Sequence, residues 1–166
     1  MSAAEDRGDL PYEPVETLSD PAGTVQHPVL RQLHAYWTGK RGRRMAPSRE
    51  EIDPVEFRYA IGWVSLIDVR AGVENFEMRV FGGHTARIME HEPTFRTAAD
   101  SNDPEFHSAA MRDLRWVVEH RRPLRVFRDL QTAKRRYRFE GLVLPLSDDG
   151  ETVNFLLAAA IPPVGG

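Results

Sequence analysis

The stretch from residue 135 to 146 constrains this chain more than any other. Read as a strand, it puts Tyr137, Phe139 and Val143 on one face and Leu142, Leu144 and Leu146 on the other. A strand that is apolar on both sides needs cover on both sides, at least at one end. Its neighbours read as strands too, at about 124–130 and 152–161. Ser147-Asp148-Asp149-Gly150 supplies the hairpin between the last two. Upstream, residues 62–69 and 75–81 form two more, joined at Ala71-Gly72. The second alternates Phe76, Met78 and Val80 with Glu77, Arg79 and Phe81. Two strands alone make no stable sheet. One antiparallel sheet of five strands accommodates them all.

The cover comes from helical patterns. Residues 28–38 open with Pro28 in the first turn and carry Val29, Leu33, Tyr36 and Trp37 as an apolar stripe, with Gly39 as a stop. Asp53-Pro54-Val55-Glu56 has the form of a capping box and predicts a short helix to about residue 60. Gly82-Gly83 breaks the second strand. A short helix over 84–90 and irregular chain over 91–102 are expected next. Asp103-Pro104 then opens the longest helix, to about His120, with Phe106, Ala110, Leu114, Val117 and Val118 on its apolar face and Pro123 beyond its end. The predicted fold is α+β: a five-stranded antiparallel sheet with the middle helices on one face and the 28–38 helix on the other.

With 166 residues the chain suits one domain. Residues 1–26 are polar, lack apolar periodicity and read as a disordered acidic leader. The single domain is expected at 27–163. Residues 1–20 hold six acids against Arg7, a net charge of −5, whereas the whole chain is −3, so the remainder is +2. No apolar run approaches the roughly 20 residues of a membrane span. The N-terminus has no basic-then-apolar secretory pattern. With no cysteine present, disulfides, thiolate chemistry and cysteinyl photochemistry are excluded. A reducing, cytoplasmic setting is the matching expectation.

Two strands, a helical stretch, three strands and an outer N-terminal helix is the PAS order. More specifically, the chain resembles a family of small, mostly alphaproteobacterial PAS-like proteins, formerly a domain of unknown function. The carriers of the resemblance are Tyr36-Trp37, Pro47-Ser48-Arg49, Ile52-Asp53-Pro54, Met78-Arg79-Val80-Phe81-Gly82, Arg122-Pro123-Leu124, and Glu140 with Leu142, Leu144, Pro145 and Leu146. They span about residues 29–161. The chain departs from the family after the strand-end glycine, where it reads Gly83-His84-Thr85 and later Glu92-Pro93-Thr94-Phe95. The resemblance implies a sensory or regulatory module with no effector of its own, which binds a small ligand or a signalling partner.

Phe76, Met78, Met89, Tyr137, Phe139 and Phe155 either line a pocket between sheet and helices or fill the core; Met111 belongs to the same set. If there is a pocket, His84, Trp116 and Arg128 are its candidate polar or aromatic contacts, and the ligand is small and apolar or anionic. No cofactor can be named. His84, His91 and His107 lack the spacing of a helical metal site. Arg79 and Glu140 suit a structural ion pair or hydrogen bonds at the sheet edge. The basic runs at 40–44 and 134–138 suit an anionic partner, and the acidic leader could fold onto them. The acidity of the whole chain argues against nucleic acid. The aromatic stripe of the 28–38 helix, Trp37 above all, offers a homodimer surface. No nucleophile motif, phosphate loop or dinucleotide fingerprint is present, so no enzyme is expected. The alternatives are a scaffold domain with a filled core and a small cone-shaped isomerase or hydratase.

Overall fold

The computed structural model describes residues 13–14, 25–80, 103–134 and 136–162. Strand β1 is the two-residue pairing Glu13–Pro14. The others are β2 (Val64–Asp68), β3 (Glu77–Val80), β4 (Leu124–Gln131), β5 (Arg136–Leu146) and β6 (Phe155–Ile161). The sheet order is β1-β4-β5-β6-β2-β3, and every neighbouring pair is antiparallel. The five-stranded sheet expected from sequence is thus present, extended at the β4 edge by Glu13–Pro14. The predicted short helix over 84–90 lies outside the described residues.

Helices α1 (Pro28–Arg41) and α2 (Pro104–His120) pack on opposite faces. On the α1 side Leu30, Leu33 and Trp37 meet Leu142, Leu144, Leu146, Phe155 and Leu157, all buried. On the α2 side Met111, Leu114 and Val117 meet Leu124, Val126, Val143 and Leu156. Alternation along β5 divides its side chains between the two layers, as the doubly apolar pattern requires.

Local chemistry explains the boundaries. The His27 side chain caps α1 by accepting from the Val29 N–H at 3.1 Å. The helix runs through Gly39, because one glycine inside a helix costs only about 1 kcal/mol. It stops at Gly42, whose φ of 62° is open to glycine. The buried stripe is Leu30, Leu33, His34 and Trp37, one step round from the expected one. Val29 and Tyr36 are only partly buried. Trp37 is fully buried and donates its indole N–H to the Pro145 carbonyl at 2.8 Å. It belongs to the core and offers nothing to a dimer surface.

The stretch Pro54–Trp63 is 3₁₀ in character and is interrupted at Phe57. Asp53 caps it as expected. Glu56 does not reach back. Its carboxylate accepts from the Tyr36 hydroxyl at 2.7 Å and pairs with Lys40 at 3.1 Å. The reach-back bond occurs one turn earlier, where Glu51 accepts from the Ser48 N–H. Val25 and Gln26, assigned to the leader by sequence, belong to the domain: Val25 is fully buried in the α1-side core.

Two buried carboxylates tie the helix starts to the sheet. Glu140, 1% exposed, accepts from the Gln26 and His27 N–H groups at 2.7 and 2.8 Å and from Arg125 Nε at 3.0 Å. The structural role expected for Glu140 is therefore the anchoring of α1, with Arg125 as its ion-pair partner. Asp103, also 1% exposed, caps α2 and accepts from the Tyr137 hydroxyl at 2.6 Å and the Thr132 hydroxyl at 2.9 Å.

Candidate ligand cavity

A cavity of about 110 Å³ lies between α2 and the sheet. Its origin is a run of small side chains across three adjacent strands. On β5, Gly141 sits between the bulky Phe139 and Val143. Gly141 pairs with Ala160 on β6, Val143 pairs with Ala158, and Ala158 pairs with Ser65 on β2. Gly141, Ala160, Ala158 and Ser65 thus make a low floor on the α2 side. Adding a Cβ to Gly141 would bring it to 3.3 Å from the Phe139 ring and 3.4 Å from the Ala159 carbonyl, so glycine suits this position. Phe76, Met78, Phe106, Leu114, Val126 and Phe139 form the walls.

The lining is mostly apolar, with Ser65 on the floor and two polar groups on α2. His107 and Asp113, six residues apart on α2, both border the space. Asp113 forms a buried ion pair with Arg128 of β4. Such a pair, once removed from water, is held by the geometry around it. The His107 ring stacks on Phe76 at 5.8 Å. A pocket of this type holds an apolar body and orients it through one or two fixed polar groups.

Of the residues singled out from sequence, Phe76, Met78 and Phe139 line the cavity. Arg128 stands behind its wall, joined to it through Asp113. Tyr137 is on the same face but packs into an end cluster, stacked on Phe106 at 4.1 Å. Met111 packs into the α2-side core. Trp116 is outside the lining and stacks on His120 at 4.1 Å. Phe155 is on the other face of the sheet, buried in the α1-side core, with the Arg49 and Arg70 guanidinium groups 5.4 and 4.9 Å from its ring. His84, Met89 and His91 lie outside the described residues. No cluster of three potential metal ligands occurs among the described residues, and no described helix is long and apolar enough to cross a membrane.

Sequence reading missed the small residues. Gly141 and Ala158-Ala159-Ala160 were legible as letters, but a small residue carries a signal only once its cross-strand neighbours are known to be small too.

A sheet covered by helices on both faces, with a buried apolar layer on one side and a cavity on the other, defines a small α+β module with an internal pocket. The chain belongs to the PAS domain family, whose model matches residues 25–160. A comparison with curated proteins finds no match. Among matching solved structures is one titled "Structure of an RNA-binding Light-Oxygen-Voltage Receptor", with 16% identity and a TM-score of 0.44. The match covers 70% of this chain and 36% of that one.

Proposed function

We propose that this chain is a sensory module whose input is a small, largely apolar ligand held between α2 and the sheet. The observation that carries this reading is the cavity over the Gly141–Ala160–Ala158–Ser65 floor. An apolar cavity of roughly 150 Å³ admits benzene or xenon, so the 110 Å³ here limits the ligand to a single small ring or a short chain at most. Its one polar group would face Asp113 and His107. Ligand binding would favour one packing of α2 on the sheet, and a protein partner in the cytoplasm would read that difference.

The test is uptake of a small apolar probe. Benzene or xenon is titrated into the purified chain, with methyl chemical shifts and thermal stability as readouts. Native mass spectrometry looks for a co-purified molecule. The expected result is saturable perturbation centred on Ala158, Ala160 and Val126, abolished in Ala160→Leu. Absence of both uptake and a co-purified molecule would sink the ligand reading and leave a filled-core interaction domain.

A further inference from the structure

The N-terminal leader and the β4–β5 hairpin carry opposite charge in nearly equal amounts. Residues 1–20 have a net charge of −5. Residues 121–140 hold eight arginines and lysines against Asp129 and Glu140, a net of +6. The two regions meet: Glu13 pairs with Arg125 and Pro14 with Leu124, antiparallel, on the outer edge of β4.

Beside that edge lies an arginine strip. Arg125 pairs across the strands with Leu142, Phe127 with Glu140, Asp129 with Arg138 and Gln131 with Arg136, which places these side chains on the α1 side. The Arg125 and Arg138 guanidinium groups stand 5.8 and 5.6 Å from the Phe127 ring centre. Arg136 and Arg138 are both exposed and share one carboxylate, Asp129, at 2.8 and 3.6 Å. Two guanidinium groups on one carboxylate leave a positive excess at the surface.

We propose that the β4 edge and this strip form a docking surface for an extended acidic peptide, and that the chain's own leader is its resting occupant. A strand edge offers main-chain donors and acceptors at peptide spacing, and Glu13–Pro14 already uses them. A nucleic acid has no backbone to match that ladder, so the surface selects peptide over other polyanions. Pro14 lacks an N–H, which limits the addition of a further strand outside the leader. The surface is also wired to α1. Arg125, opposite Glu13, donates to Glu140, and Glu140 holds the Gln26 and His27 N–H groups. A partner's acidic segment that displaces the leader would therefore act one residue from the anchor of α1.

The experiment uses the full chain with its six leader acids neutralised (Glu5→Gln, Asp6→Asn, Asp9→Asn, Glu13→Gln, Glu16→Gln, Asp20→Asn). The titrant is a fluorescein-labelled synthetic peptide of residues 5–20. If the leader occupies its site nine-tenths of the time, the neutralised chain binds the peptide about tenfold more tightly than wild type. Raising salt from about 0.05 to about 1 M weakens that binding as screening shortens. Adding Arg136→Gln and Arg138→Gln, both at exposed positions, removes it, while the melting curve confirms the fold. Equal affinity of wild-type and neutralised chains would overturn the occupancy. Binding that survives loss of both arginines would overturn the surface. A single-stranded oligonucleotide that binds the neutralised chain as tightly as the peptide would overturn the peptide assignment.

Discussion

The two faces of the sheet are built from the same strands yet differ in what they leave between sheet and helix. Toward α1, β5 and β6 present Leu142, Leu144, Leu146, Phe155, Leu157 and Ile161, and the layer is filled around Trp37. Toward α2 they present Gly141, Ala158 and Ala160, and the layer is hollow. One residue of parity separates a packed core from a cavity. The helix starts are held in the same way on both sides, by a buried carboxylate, Glu140 for α1 and Asp103 for α2. The difference therefore lies in side-chain volume and not in how the helices are attached.

Substitutions that break this contrast should rank by how much packing they remove. Trp37→Ala should be the most severe, costing about 3–5 kcal/mol in chemical denaturation, because it empties the filled layer and strands the Pro145 carbonyl. A loss below about 1 kcal/mol would mean that the α1 layer is not tightly filled. Next, Glu140→Ala should cost about 3 kcal/mol, since it leaves Arg125 and two N–H groups without their buried acceptor. Faster hydrogen exchange at the start of α1 would accompany it.

On the hollow side, Asp103→Ala should cost about 2 kcal/mol through loss of the α2 cap and of the Tyr137 and Thr132 bonds. If Glu140→Ala and Asp103→Ala proved equal in denaturation but only the latter altered ligand uptake, the division of labour between the faces would be sharpened.

A pH series probes the filled face. Burial, with a smaller contribution from Arg41, pushes the His34 pKa down from 6.5 to about 4. Between these values the unfolded chain binds a proton that the folded chain refuses. Stability owed to His34 is therefore fully present above pH 6.5 and declines as pH falls toward 4. Both ring nitrogens are buried without a hydrogen-bond partner, so His34→Leu should flatten that part of the pH profile. An unchanged slope would assign it to other groups. The smallest effect belongs to the cavity floor. Ala160→Val should change stability by less than about 1 kcal/mol, because it fills space instead of opening it. It should nonetheless reduce ligand uptake.

Much of this was legible in the residues. The apolar parity of 137–146 called for cover on both faces, and Asp103-Pro104 marked the start of α2. The candidate site was legible only in part. Phe76, Met78 and Phe139 come together at the cavity, while Phe155 joins the opposite layer. Strand β6 is apolar on both faces, so no alternation in its letters says which set faces which helix. Only its register with β5 does, and that is a long-range property. The small floor residues were unreadable for the same reason.

By itself, then, the sequence determined the two long helices and the five main strands in their order, because those follow from local propensity, capping and period. It also determined the opposition of charge between leader and hairpin, which is a matter of counting. Tertiary structure alone decided which parity of β6 joins the filled layer, that Trp37 points inward, and that Glu13 meets Arg125. Each of these depends on pairing between residues far apart in the chain, and the energy that selects such a pairing exists only once both partners are in place.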